Sequence, residues 1–336
     1  MLGIFIIFLE DYFMIFRLFN IALLTAIGIH SGAALAQDYP TKPIRLVIPF
    51  AAGSVAELIF RTLAPSVEAR FNQRFIVEPK PGADGNIGAS EVARASPDGY
   101  TLVLAPTATF AVASHLFRDL TYDPINSFDH ISMLADTWPF ATVGPDVPAK
   151  SLKELAEYVS AHPRKFNYGS QGSGSPTHLI GAAFSQITGN SMVHIPYKGT
   201  PPMVQAMLAG DIQVTFASMT ALLPQIKAGK LRPLAVMGRN RQAEFPDLPT
   251  TVEAGFPQLV MSNWWVLAAP KGTPAPILNR LGSEFRTALA DPEARKKISG
   301  FGHNPVGLTP AETAAFVRTE SARYKSIIDQ GKITLN

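Results

Sequence analysis

The sequence predicts an α/β protein built as two jaws, and three observations carry that prediction. Strand-like and helix-like segments alternate almost throughout, two apolar strands each end in a loop of small residues that opens a helix, and no low-complexity linker divides the chain. Alternating β and α elements argue for parallel-rich sheets covered by helices. The first loop follows the strand Ile44–Phe50, reads Ala51-Ala-Gly-Ser54, and runs into a helical pattern from Val55. The second follows Phe166–Ser170, reads Gln171-Gly-Ser-Gly-Ser175, and runs into a helix from Pro176. Small residues let backbone N–H groups reach a ligand, and a helix start favours negative charge. Two such loops predict jaws closing on an anion, an arrangement suited to a binding protein more than to an enzyme.

The N-terminus reads as an export signal. Leu18 to Leu35 is a mostly apolar run ending in Ala34-Leu-Ala36, a small-x-small cleavage pattern before Gln37, so residues 1–36 are expected to be a signal peptide and the mature protein periplasmic. A transmembrane anchor is the alternative, but His30, Ser31 and Gly32 weaken the run before that pattern. Met1 to Phe13 carries Glu10 and Asp11 and no basic residue, whereas Met14 is followed by Arg17, which makes Met14 the expected start. Removing Arg17, Glu10 and Asp11 from 29 basic and 26 acidic residues leaves 28 against 24, a net charge of +4. That mild bias suits anionic ligands, and no basic run or basic–aromatic stripe supports nucleic acid. The 336 residues fit one large or two ordinary α/β domains, and 47% apolar content is ample for a core.

Along the mature chain, Ile44–Phe50, Arg74–Glu78 and Tyr100–Ala105 read as buried strands, with helical patterns at Val55–Phe71 and Asn86–Ala95 between them. Phe140–Val143 starts a new strand, and Ser151-Leu-Lys-Glu154 is a capping box opening a helix to about His162. Phe166–Ser170, Met192–Tyr197, Gln213–Ala217, Leu231–Met237 and Trp264–Ala269 follow as strands. Thr273-Pro274 begins a helix with a cap and an early proline, and Thr309-Pro-Ala-Glu312 is a second capping box. Asp136–Gly144 and Met261–Ala269 are candidate crossings between lobes; they hold Trp138, Trp264 and Trp265, which would pack in a hinge.

Enzyme signatures are missing. There is no cysteine, no P-loop and no G-x-S-x-G elbow, and the seven histidines form no H-x-x-x-H pair. Gly172-Ser-Gly174 fails as a dinucleotide fingerprint because Thr177 stands at the sixth position and Pro176 intervenes. His194 reads as an ordinary strand histidine, while His178 divides between helix-start packing and shaping an anion site. The glycines of Pro81–Gly88 read first as a structural turn and second as support for the ligand loops from behind. Lys198 reads as a solvated lysine before it reads as a partner for a carboxylate.

Many of these stretches also resemble one family. Pro49-Phe-Ala-Ala-Gly53, Pro81–Ala89, Pro97-Asp-Gly-Tyr-Thr-Leu102, Tyr122-Asp-Pro124, Tyr168–His178, Pro196-Tyr-Lys-Gly199, Gly229-Lys-Leu-Arg232, Pro249–Gly255 and Ala269–Pro274 run in the order found in tripartite tricarboxylate transporter substrate-binding proteins, the Bug family. Each motif is weak alone, but together they cover nearly the whole mature chain. The resemblance implies a two-lobed periplasmic-binding-protein fold of type II, the Venus flytrap kind; with the two candidate crossings as its boundaries, lobe I is expected over residues 37–138 and 265–336 and lobe II over 139–264. It implies a monomer without cofactor that holds a small carboxylate, a di- or tricarboxylate or an aromatic acid, and serves membrane transporter subunits or a sensor kinase; an α/β hydrolase is the enzyme alternative. Carried over, first-lobe contacts fall on Phe50, Ala52, Gly53 and Ser54, and second-lobe contacts on Ser170, Gly174, Ser175 and His178. Thr107 and Ser218 join them from strand ends. The chain departs from the family in two places. Ser54 stands where the usual loop has a second glycine, with Glu57 for the aspartate that follows, and Ala217 stands where many members have an aspartate that can pair with a ligand amino group. A carboxylate lacking an amino group, or an aromatic acid, is the expectation that follows.

Overall fold

The computed structural model describes residues 39–335 apart from Asn190 and Ala243. The expected signal peptide, the start at Met14 and the cleavage before Gln37 lie outside the described residues. In chain order the first lobe opens with β1 (Ile44–Ile48), α1 (Val55–Phe71), β2 (Phe75–Pro79), α2 (Asn86–Ala93) and β3 (Thr101–Pro106). A π turn at Ala108–Val112, the short α3 (Ala113–Leu116) and β4 (Phe128–Thr137) follow. β5 (Pro139–Val143), α4 (Leu152–Ala161), β6 (Phe166–Ser170), α5 (Pro176–Ile187), β7 (Met192–Pro196), α6 (Thr200–Ala209), β8 (Val214–Ser218), α7 (Met219–Lys227) and β9 (Arg232–Val236) make the second lobe. The chain then returns through β10 (Asn263–Pro270), α8 (Ala275–Ala290), α9 (Pro292–Gly300), β11 (Asn304–Pro305) and α10 (Pro310–Gly331).

These strands form two sheets, ordered β11-β4-β10-β3-β1-β2 and β7-β6-β8-β5-β9. The fold is the two-lobed α/β arrangement of periplasmic binding proteins. Both sheets are mixed, which corrects the expectation of parallel-rich sheets: β10 runs antiparallel to β3 and β4, and β5 antiparallel to β8 and β9. The cause is the crossing of the chain between sheets. β1, β3 and β4 end at the cleft, whereas β5 and β10 arrive from the other sheet and therefore begin there, so Pro139 pairs with Ser218 and Trp265 with Pro106. The passage from β4 to β5 is a single residue, Trp138.

Local rules account for most elements. In α1, Ile59, Phe60, Leu63, Val67 and Phe71 share one face and are buried, and Asn72 ends the helix at φ 50°. Each such side chain contributes about 1.5–3 kcal/mol of burial. The Thr309 capping box forms as expected, with its hydroxyl accepting from Glu312 N–H and the Glu312 carboxylate accepting from Thr309 N–H. At Ser151 the hydroxyl accepts from Glu154 N–H, but the Glu154 carboxylate reaches one residue further back, to Lys150 N–H at 2.9 Å. Thr273 does not cap α8; its hydroxyl donates to Pro270 O instead.

Helix α10 joins the lobes. Val317, Tyr324, Ile327 and Ile328 belong to the same buried cluster as Leu179 and Phe184 of α5. Gln186 donates to Ile327 O at 2.8 Å, and the Arg323 guanidinium donates to the carbonyls of Gln258 and Val260. A tight contact also sits at the first crossing. A Cβ added to Gly238 would fall 1.8 Å from Cε3 of Trp138, whose Nε1 donates to Asp136 Oδ2 at 3.0 Å. Gly238→Ala therefore has to push the ring aside and is expected to cost about 1–3 kcal/mol. Urea unfolding reads this as a lowered midpoint; an unchanged midpoint would contradict the packing.

Candidate ligand-binding cleft

The first loop turns on Gly53, at φ 79°, followed by Ser54 in extended conformation at φ −62°, ψ 158°. A left-handed position of this kind suits glycine because no Cβ meets the backbone. Four residues on, the buried Glu57 reaches back: Gly53 N–H donates to its Oε2 at 2.8 Å, and Arg61 Nε donates to its Oε1 at 2.6 Å. The Gly53 N–H and then the Arg61 guanidinium hold the Glu57 carboxyl below the usual range. Ser54 provides no side-chain cap for α1, and its Oγ is buried without a hydrogen-bond partner among the described residues. The first-turn N–H groups of α1 have no acceptor inside the helix, so they point their partial positive charge outward unanswered.

The second loop repeats the design. Gly174 lies at φ 77°, Ser175 at φ −65°, ψ 155°, and Gly174 N–H donates to His178 Nδ1 at 3.0 Å. Here, however, most of the polar groups satisfy one another, Ser173 excepted. Ser175 Oγ donates to Gly172 O and accepts from His178 N–H, while Gln171, Gly172 and Ser175 N–H groups bond to Thr177 Oγ1, Ser170 Oγ and Gly172 O. Behind the loop the rings of His178 and His194 stack at 3.6 Å and 6°, and Ser170 Oγ lies 2.7 Å from His194 Nε2. Burial pushes His178 down to about 4; burial and then the neighbouring His178 push His194 down to about 3. A neutral His178 is what its accepting Nδ1 requires.

Between the loops lies a cavity of about 480 Å³. The first lobe lines it with Phe50, Ser54, Val55, Ala56, Asn86, Pro106, Ala108, Val112, Leu116, Phe117 and Trp265, the second with Gln171 to Pro176, Asn263 lines it where β10 begins at the crossing, and Leu335 reaches it from beyond α10. None of these side chains is charged.

Of the residues expected at the site, Phe50, Ser54, Gly174 and Ser175 line the cavity. Ala52 and Gly53 are exposed in the same loop without lining it. Thr107 is fully buried and its hydroxyl accepts from Trp264 N–H at 3.0 Å, so it fastens β10 to the strand end. Ser170 and His178 stand behind the second loop and shape it, and Ser218 is the N-cap residue of α7, away from this cavity. Lys198 is exposed and does not line the cavity. Of the tryptophans expected in a hinge, Trp138 occupies the crossing, Trp264 is buried in the core and Trp265 lines the cavity. Sequence reasoning missed Asn86, Leu116, Phe117 and Trp265 as lining residues. The signal for Asn86 was the glycines around it: a Cβ on Gly85 just before it or on Gly88 in the first turn of α2 would meet Pro49 at 3.3 and 3.0 Å, so this segment backs the first loop closely.

Comparison with known proteins follows the same lines. The model of the TctC family, described as the tripartite tricarboxylate transporter family receptor, matches residues 59–333. Protein BugT of Bordetella pertussis is 32% identical, over 91% of this chain and 96% of BugT. Among solved structures, the R. palustris protein Rpa4515 with adipate superposes at a TM-score of 0.73, with 30% identity over 88% of this chain and 100% of that one. MatC from Rhodopseudomonas palustris with bound malate superposes at 0.69, with 27% identity over 86% and 100%.

The histidine pair predicts a pH dependence. Both folded pKa values lie below the ordinary 6.5, at about 4 and about 3, so the unfolded chain binds more protons from about pH 6.5 down to about 3. Stability from this pair is full above pH 6.5 and is lost progressively as pH falls through that window. The melting temperature should fall there, and less steeply in His194→Gln; equal slopes in variant and wild type would remove the pair as the cause.

Proposed function

The chain belongs to the TctC, or Bug, family of periplasmic solute-binding proteins, and on that premise we propose that it captures a small carboxylate between its lobes and delivers it to the membrane subunits of a tripartite tricarboxylate-type transporter. One observation carries the carboxylate reading: the uncapped start of α1, with the unpartnered Ser54 hydroxyl beside it, faces a cavity lined by no anionic side chain. A carboxylate there supplies acceptors to several donors that have none, in a geometry that helix starts favour. The adipate and malate carried by the two R. palustris neighbours support the same ligand class.

Capture requires motion in this reading. The lobes divide at Trp138 and near residue 264, so that 37–138 with 265–336 closes on 139–264 once a ligand touches both loops. Calorimetry against a panel of small carboxylates, followed by X-ray scattering with the tightest, tests both parts. The expected result is saturable binding and a reduced radius of gyration. No binding by any acid would refute the carboxylate, and an unchanged scattering curve at saturation would refute closure.

Residue-level outcomes follow from the loop geometry. Ser54→Ala removes a donor to the carboxylate and should weaken binding roughly 10- to 150-fold, the equivalent of about 1.5–3 kcal/mol for a charge-assisted hydrogen bond. Gly53→Val forces a branched residue to φ 79° and should weaken binding through the displaced loop, with the fold retained because no atom lies within 4 Å of the new Cβ. Wild-type affinity in both variants would take the first loop out of the site.

A further inference from the structure

Building on the carboxylate reading above, we propose that the cleft selects an acid with a single charged end: a monocarboxylate whose anion rests on the start of α1 and whose body is an aryl group or a medium-length alkyl chain. Three features point to it. The first is charge. Nineteen residues line the cavity and none has an ionisable side chain, so a second carboxylate would find no cation there.

The second is the inequality of the two helix starts. α1 offers the N–H groups of Val55, Ala56 and Glu57 and the unpartnered Ser54 hydroxyl. α5 begins with Pro176, which has no N–H, and its His178 N–H is already capped by Ser175. The N–H groups of Gln171, Gly172, Gly174 and Ser175 are also engaged inside their own loop. Among the described residues α1 thus presents three free N–H groups and a hydroxyl on one helix start, whereas the second jaw, most of its donors engaged, leaves only the N–H groups of Ser173 and Thr177 and the Ser173 hydroxyl.

The third is what already faces the second jaw. A Cβ on Gly174 would come 2.8 Å from Leu116 Cδ1 and 2.9 Å from Leu335 Cδ2, so two leucines sit directly against that loop. Phe117 and Trp265 extend the apolar wall. A carboxylate pressed into this end exchanges water for hydrocarbon, whereas a methylene chain or ring gains by the same exchange. The polar side chains that remain, the amides of Asn86, Gln171 and Asn263 and the hydroxyl of Ser173, are neutral and suited to a hydroxyl or carbonyl substituent on the ligand body.

Matched acids test this. Hexanoate and adipate share a six-carbon chain and differ only in the far end; benzoate and terephthalate make the aromatic pair. Calorimetry of the mature protein at neutral pH should find the monoacid of at least one pair bound about tenfold or more tighter than its diacid. Diacids bound as tightly as or tighter than their monoacids would overturn the inference and leave the carboxylate reading standing. Hexanol bound as tightly as hexanoate, or no acid bound at all, would overturn both. Leu116→Arg places a cation at the apolar end and should shift the preference toward the diacid by about tenfold; an unshifted ratio in folded variant protein would overturn the placement of the ligand body.

Discussion

Everything at the cleft depends on a backbone N–H held by a side chain four residues later. Gly53 is held by Glu57 and Gly174 by His178, at 2.8 and 3.0 Å, and in both loops the glycine is left-handed and the next residue is an extended serine. This fixes the angle at which a strand gives way to a helix, and so the direction in which the helix dipole points. The chemistry of the holding group then separates the two loops. A carboxylate at the start of α1 adds negative charge near the place where an anion would dock, and the Arg61 guanidinium offsets it from the solvent side. A neutral imidazole at α5 needs no such balance and can be stacked away against His194.

How much of this could be read in the sequence depended on how local each signal is. The helix Val55–Phe71 and the strand Phe166–Ser170 appear at the residues where their patterns lie, because periodicity and small-residue loops are properties of neighbours in the chain. β4 was not anticipated: Asp129, His130, Ser132 and Asp136 interrupt its apolar run, although Ser132 is fully buried and Asp136 nearly so. A strand covered on both faces can carry such groups when the tertiary fold supplies partners, as Leu308 O does for Ser132 and Asn304 for Asp136. The site divided in the same way. The loop residues could be found from their glycines and serines. Leu116, Phe117 and Trp265 look like ordinary core residues until the fold brings them to the cavity. Thr107 shows another role that only the fold reveals: this strand-end threonine is buried and its hydroxyl accepts from Trp264 N–H.

The long helix α10 sets a limit on how the lobes can move. Its buried side chains share one cluster with α5, and Gln186 holds its backbone near Ile327. The closure proposed above would have to slide or tilt α5 along α10 while the segments at Trp138 and before β10 bend. A shear component of this kind keeps the buried apolar surface covered, which a free hinge would expose at the rear of the molecule.

The place of β10 in the first sheet has a consequence for biosynthesis. It lies between β3 and β4, so the sheet that carries the first ligand loop lacks one of its interior strands until the second lobe has been made in full. Pairings so distant in the chain form slowly, because the connecting segment must be closed before any contact rewards it. The emerging polypeptide can thus pair every strand of its second sheet while the first sheet stays unfinished. A chain whose assembly waits on its last third stays threadable for longer than one whose domains follow each other in sequence.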